Sequence, residues 1–179
     1  PAANAFPPDR FSPETARTPE GDIGSYTFLN DRAAGMIGSL ALGGSDFARA
    51  AGLTGKGQIV GIADSGLDAG RTDDIHPDLQ SVPGQMPKVA FLRSWAGREV
   101  PDDPIGHGTH MAATIAGTGK ASDGRYKGVA PGASLYFQAL LDDKGKLSPP
   151  SDLRDLFEPA YSAGVRIHIN GWGGGKNTY

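Results

Sequence analysis

The chain has 179 residues, the size of one ordinary domain, and 38% of them are hydrophobic. Its formal net charge of −3 gives no basic surplus for binding nucleic acid. It has no cysteine, which excludes disulfides, thiol nucleophiles and cysteine-based zinc sites. No apolar run is long enough to span a membrane, so a membrane partner is not expected. The 27 glycines and 14 prolines predict many tight turns and close backbone approaches.

The first 29 residues differ from the rest of the chain. They are rich in proline and show little apolar periodicity, so residues 1–29 are predicted to form an extended arm or a leftover from processing. Residues 30–179 are predicted to form the folded part.

Strand-like and helix-like patterns alternate along the folded part. Short apolar runs predict strands, and apolar residues at helical spacing predict helices. This alternation indicates parallel βαβ units in a layered α/β sheet. The predicted strands are 58–64, 88–95, 134–141 and 165–170, and the predicted helices are 106–119 and 151–163, with Pro159 expected to kink or shorten the second helix.

Two side chains stand where chemistry is usual in such a sheet. Asp64 ends the first predicted strand, and the carboxyl ends of parallel strands face the ligand crevice. His107 lies in the first turn of a predicted helix, where the helix dipole favours a neutral imidazole, as a general base requires. Taken singly, each residue also fits a plainer role, Asp64 as a turn cap and His107 as a surface histidine.

His107 and His110 also form an H-x-x-H pair, which allows a metal-dependent hydrolase. A third ligand would have to come from Asp64, His76 or Asp78. Helical zinc sites more often use an i, i+4 histidine pair with a glutamate between, and this chain has neither.

Taken together, four segments resemble the subtilisin-like serine proteases, the subtilases. They are GKGQIVGIADSGLD (55–68), HPDL (76–79), GHGTHMAATIAG (106–117) and GVAPGASLY (128–136). The resemblance implies a three-layer αβα fold with a mostly parallel sheet, incomplete in this chain. It places Asp64 on the catalytic Asp of the family and His107 on its catalytic His, in the subtilisin order Asp, His, Ser.

Residues 135–175, 65–74 and 30–35 look most like the oxidatively stable alkaline protease subgroup. In that subgroup the mature enzyme begins near an Asn-Asp pair, so Asn30-Asp31 is expected to mark a processing site. Residues 1–29 would then be the tail of a propeptide, and the protein is expected to be secreted.

The resemblance also implies a substrate groove for a peptide or protein. Two stretches, 141–147 and 171–174, are expected to flank a bound peptide that adds a strand between them. The subgroup usually has Ser where Gly171 stands. The residues expected to bind substrate are Leu141, Gly145, Gly171, Trp172, Gly173 and Gly174.

No cofactor is expected for the chemistry. Asp78 matches a position that ligates structural calcium in some subtilases, and its carboxylate suits a hard cation. His110 and His168 are expected to be structural.

Two family motifs are missing from the 179 residues. Neither the G-T-S-M-A segment with the nucleophilic Ser nor the A-A-G-N segment with the oxyanion-hole Asn occurs. The chain is therefore predicted to be the N-terminal part of a subtilase domain, inactive alone, with 165–170 left as an apolar edge strand that pairs with a second chain carrying the rest. The predicted function is a serine endopeptidase, and the alternative is a non-catalytic subtilase-like binding or regulatory module.

Overall fold

The computed structural model describes residues 51–173, whose strands and helices alternate in the predicted order. Each element is shorter than its apolar pattern suggested, at one end or at both. The arm predicted for residues 1–29, the processing site and Gly174 lie outside the described residues. In chain order the elements are β1 (Ile59–Asp64), β2 (Val89–Ser94), α1 (His107–Ala116), β3 (Ser134–Ala139), α2 (Arg154–Ser162) and β4 (Ile167–Asn170), with short 3₁₀ turns at Pro77–Leu79 and Lys120–Ser122.

The four strands form one sheet in the order β2-β3-β1-β4, and every pairing is parallel. The predicted parallel α/β arrangement is therefore confirmed. β1 lies between β3 and β4 in the sheet. It pairs with β3 over its whole length and with β4 from Val60 to Ala63. β4 lies at the edge of the sheet formed by the described residues, and its Ile167 is 63% exposed.

Helices cover both faces of this sheet, which gives the three predicted layers. On one face Ala112, Ile115 and Ala116 of α1 pack on an apolar cluster that includes Ile62 and Phe137. On the other face, α2 buries Leu156 and Ala160 against the sheet. Alternate residues of a strand point to opposite faces, so β3 sends Phe137 toward α1 and its neighbour Tyr136 toward α2.

The connections across the sheet have opposite hands. The step from β2 to β3 carries α1 and the step from β3 to β4 carries α2, and both move in the same direction along the sheet. The two helices nevertheless lie on opposite faces, so one of the crossovers is left-handed, against the strong right-handed rule. The sequence pattern gave no sign of this, because it specifies which residues are apolar and not the side on which a helix returns.

Pro159 lies inside α2 without ending it. The helix begins at Arg154, later than predicted, and continues through Pro159 to Ser162. The helix is shorter than predicted mainly at its start, and Pro159 does not end it. No helix in the described part of the chain is both long and apolar enough to cross a membrane.

Candidate active site

Asp64 is the last residue of β1 and is almost fully buried. Its side chain is 2% exposed, and Oδ1 accepts a hydrogen bond from the backbone N–H of Ser65 at 2.7 Å. The other carboxylate oxygen, Oδ2, is buried and has no hydrogen-bond partner among the described residues. Because this carboxylate is buried at the end of a central strand, water screens it poorly and its charge acts strongly on its neighbours.

His107 is the first residue of α1 and faces Asp64 directly. Its Nδ1 lies 2.7 Å from Asp64 Oδ1, and its side chain is 25% exposed, so the ring joins a buried carboxylate to the surface. Since a carboxylate only accepts, Nδ1 carries the proton and donates it to Asp64. The helix begins at His107 because Gly106 before it takes the left-handed conformation, with φ of 75°. Gly106 provides no side-chain cap.

A second carboxylate fixes the strand end to the helix start. Asp103 Oδ2 accepts from both the backbone N–H and the hydroxyl of Thr109, and Oδ1 accepts from the hydroxyl of Ser65. Ser65 Oγ in turn accepts from the backbone N–H of Gly108 at 2.8 Å. These bonds clamp the neighbours of Asp64 and His107 together. We call Ser65, Asp103 and Thr109 the brace.

The brace was not identified from the sequence. A signal was present in the sequence. The N-cap residue of α1, Gly106, has no side chain that could cap the helix, and Asp103 lies three residues before it, close enough to cap the helix instead. The helix also lies unusually close to the turn after β1. A Cβ on Gly108 would collide with the carbonyl oxygen of Gly66, so only glycine allows this approach.

The first predicted groove stretch, 141–147, forms a small hairpin. Leu141 is buried and pairs with Leu147 in an antiparallel bridge, while Gly145 supplies the left-handed residue of the turn, with φ of 70°. Asp142 stabilises the turn, and hydrogen bonds led by the one from the Lys146 N–H hold the pKa of its carboxyl below the usual range.

The second stretch, 171–173, lies beside the Asp64–His107 pair. A Cβ on Gly171 would lie 3.0 Å from Asp64 Oδ2 and 3.3 Å from His107 Cε1, so its absence keeps the backbone close to both. Gly173 is exposed with open space around it. Trp172 packs against the cluster that contains Leu140, and its indole Nε1 is buried without a partner among the described residues.

His110 lies one turn beyond His107 and lines a separate surface cleft of about 410 Å³ with His76 and Asp68. Partial burial lowers the pKa of His110, and the charge of protonated His107 lowers it further. Residues 51–173 contain no group of three or more His, Asp or Glu side chains arranged to hold a metal ion. The H-x-x-H pair therefore has no third ligand in this part of the chain.

Asp78 is engaged in hydrogen bonds within the fold. Its side-chain Oδ1 accepts from the backbone N–H of Ala121, its backbone carbonyl accepts from Thr118, and its own N–H donates to His76 Nδ1. These bonds connect the two 3₁₀ turns. Calcium binding at Asp78 stays a prediction, and the carboxylate has one oxygen already committed to the backbone.

Comparison with known proteins adds the family context. The profile of the Subtilase family matches residues 55–179. The chain is 34% identical to the serine protease/ABC transporter B family protein tagB of Dictyostelium discoideum, over 68% of this chain and 7% of that protein. It is 37% identical to the serine protease AprX of Bacillus subtilis, over 59% of this chain and 21% of that protein.

A third relative is the minor extracellular protease Vpr of Bacillus subtilis, 38% identical over 52% of this chain and 11% of that protein. The chain thus spans only between 7% and 21% of the lengths of these three relatives. The family profile nevertheless matches well over half of the present sequence, across the strand end that carries Asp64 and the helix that begins at His107. The chain therefore belongs to the subtilase family.

Proposed function

We propose that the chain provides the Asp and His of a serine endopeptidase of the Asp-His-Ser type. The observation that supports this most directly is the 2.7 Å contact between His107 Nδ1 and the buried Asp64 carboxylate. In this proposal Asp64 holds His107 in the tautomer that leaves Nε2 free of a proton, and it stabilises the imidazolium that forms during reaction.

The nucleophile and the oxyanion-hole Asn are proposed to come from a part of the protein outside residues 1–179. The serine hydroxyl gives its proton to His107 Nε2 as its oxygen attacks the peptide carbonyl. His107 then gives the proton to the leaving amine, and the acyl group stays on the serine. In the second half-reaction a water gives its proton to His107 as it attacks the acyl carbonyl, and His107 returns the proton to the serine oxygen, so the ring ends each half-reaction neutral. No cofactor takes part in these steps.

The substrate groove is proposed to lie between the hairpin of Leu141 and Gly145 and the segment Gly171–Gly174. The closeness of Gly171 to Asp64 and His107 supports this, because a peptide strand paired there would present its carbonyl next to the pair. Trp172 is proposed to line the pocket for the residue before the cleaved bond. Like the relative named an extracellular protease, the protein is proposed to be secreted.

The decisive experiment is labelling of the purified full-length protein with a fluorophosphonate probe, followed by mapping of the labelled residue. We expect labelling at a serine outside residues 1–179, and its loss in His107→Ala. Labelling on a serine within these residues, or equal labelling of the variant, would overturn the assignment. Intact mass spectrometry of the same sample shows whether that serine lies on this polypeptide or on the second chain predicted from the sequence.

A protein that folds, binds peptide and takes no label would instead be the binding or regulatory module. Hydrolysis that a chelator abolishes and the fluorophosphonate leaves intact would favour the metal-dependent alternative.

A further inference from the structure

A row of hydrogen-bonded polar side chains crosses the face of the sheet that α2 covers. The indole Nε1 of Trp95 donates to Gln138 Oε1 at 2.8 Å, and Gln138 Nε2 lies 2.8 Å from His168 Nε2. On the far side of the ring, His168 Nδ1 lies 3.2 Å from the amide nitrogen Nδ2 of Asn170. These side chains connect the residue just after β2, the carboxyl-terminal part of β3 and the end of β4.

The donors and acceptors from Trp95 through Gln138 to His168 determine the protonation of His168 Nε2. An indole N–H can only donate, so Gln138 must turn Oε1 toward Trp95 and its NH₂ group toward His168. The NH₂ group donates, so His168 Nε2 must be an unprotonated acceptor. The ring is then neutral with its proton on Nδ1. The exposed Asn170 places its amide nitrogen Nδ2 opposite Nδ1, so this amide must turn over for its oxygen to accept the Nδ1 proton.

Neighbouring elements contact the ring on two sides. Gln138 is fully buried, and a Cβ on Gly61 would lie 2.5 Å from His168 Cδ2, so β1 contacts the ring directly. Phe157 of α2 contacts it edge-on at 5.0 Å between ring centres. The imidazole is therefore wedged between a strand and a helix.

The charges near these polar side chains also oppose a positive charge on the His168 ring. Arg166 and the titratable Tyr161 line a cavity of about 160 Å³ next to His168, and Arg93 lies over the Trp95 ring at 4.1 Å. Burial lowers the pKa of His168. Protonation would place an N–H on Nε2 opposite the Gln138 NH₂ group. Turning that amide to accept it would leave the Trp95 N–H facing a donor.

The row of polar side chains meets the proposed groove at the end of β4. Asn170 is the last residue of β4 and pairs with Ala63, the residue before Asp64. Gly171 follows immediately, beside Asp64 and His107. A change in how β4 is held at His168 therefore acts on the backbone that would pair with substrate.

We propose that Trp95, Gln138 and His168 form a proton-sensitive latch that positions the end of β4, and with it Gly171–Gly173, only while His168 is neutral. The proposal rests on the proposed peptidase function for its effect on substrate. The three residues are positioning residues, because they act through the groove backbone and touch neither the substrate nor the Asp64–His107 pair.

The latch itself is tested by NMR on the full-length protein, without substrate. We expect the His168 ring to be the Nδ1–H tautomer at neutral pH, and the Trp95 indole N–H signal to shift with the same midpoint as His168 when the pH falls below about 6.5. The Trp95 indole signal is identified by its loss in Trp95→Phe. A Trp95 signal that ignores the titration of His168, or a ring protonated on Nε2 at neutral pH, would overturn the latch.

Two variants test the effect on the groove. In the wild type, KM for a peptide substrate should rise about tenfold as His168 becomes protonated, the loss of roughly one net hydrogen bond. In His168→Gln the new amide still accepts from Gln138 and does not titrate, so this acid rise in KM should vanish. In Gln138→Glu the new carboxylate accepts from Trp95 and from the His168 Nε2–H. It raises the pKa of His168, but the imidazolium that forms stays paired with the carboxylate, so the rise in KM should be absent until the carboxylate itself is protonated at lower pH.

Gln58→Glu, the same change at an exposed position, is the matched control and should leave the KM profile unchanged. A KM profile that is the same in all four proteins would overturn the positioning role. If no peptide is hydrolysed but Trp95 follows His168, the peptidase proposal fails while the latch stands. If peptide is hydrolysed and Trp95 does not follow His168, the latch fails alone.

Discussion

The two faces of the sheet are built on different principles. Under α1, apolar side chains such as Ile62 and Phe137 form the main core, and the proposed catalytic groups Asp64 and His107 lie at one end of it. Under α2, the core is interrupted by a polar chain that reaches from Trp95 through the fully buried Gln138 to His168. The first face thus carries the proposed chemistry, and the second holds the strand that leads to the proposed groove.

This contrast predicts separate kinetic effects. Changes at the α1 end should lower kcat at every pH, since they alter the Asp64–His107 pair. Changes under α2 should act on KM and mainly in acid. The following substitutions test that separation on the α1 face and at the boundary between the two faces.

The largest effect is expected for Asp64→Asn. An amide in this place favours the wrong His107 tautomer, so kcat should fall by about 10⁴-fold by analogy with other Asp-His-Ser triads. The fold should persist, because the amide keeps an acceptor for the Ser65 N–H. Steady-state kinetics with circular dichroism measures both. Asp73→Asn, at an exposed ion pair with Arg71, is the control, and equal loss in both would refute the assignment.

The next effect concerns stability alone. Lys88 is buried, and its ammonium donates to the carbonyls of Ala116, Pro131 and Ala133, joining the end of α1 to the segment before β3. Lys88→Met should lower the free energy of unfolding by about 3 kcal/mol, since three buried acceptors lose their donor. Urea denaturation measures this, with exposed Lys56→Met as the near-neutral control. An unchanged midpoint would show that water replaces the ammonium.

Loosening the brace should affect both stability and rate. Asp103→Asn keeps one acceptor but weakens the bonds to Ser65 and Thr109, which should cost about 2 kcal/mol of stability. A small displacement of His107 should lower kcat between about 10-fold and 100-fold. The adjacent Asp102→Asn removes an ion pair with Arg98 instead. If Asp102→Asn lowered kcat as much, the brace would have no special role.

The smallest effect is expected where the two faces meet, at Gly171. Asp64 Oδ2 has no partner in the part of the chain that the structure describes. A Ser hydroxyl at position 171 can reach it, whereas the methyl group of Ala only crowds it. Gly171→Ser should therefore be more stable than Gly171→Ala by about 1–2 kcal/mol, the value of a hydrogen bond to a charged group. Thermal unfolding of the matched pair measures this difference. Equal stabilities would mean that Oδ2 gains nothing from the hydroxyl.

Parts of the molecule differ in how far the sequence predicted them. The alternation of apolar runs was enough for the four strands, because a strand covered on both faces needs apolar residues throughout. Asp64 and His107 were recognised from short motifs, and the structure brings them to 2.7 Å. The brace was missed because Ser65 and Thr109 are 44 residues apart and neither belongs to an apolar pattern.

By itself, the sequence determined the order and type of the elements, the parallel sheet and the subtilase family, since these depend on local hydrophobicity and on short contiguous motifs. Only the tertiary structure decided that one crossover is left-handed, that Asp103 holds the strand end to the helix, and that Gln138 joins Trp95 to His168. Each of these depends on which residues meet across the sheet. Such meetings are set by packing among distant segments, and the pattern within any one segment does not contain them.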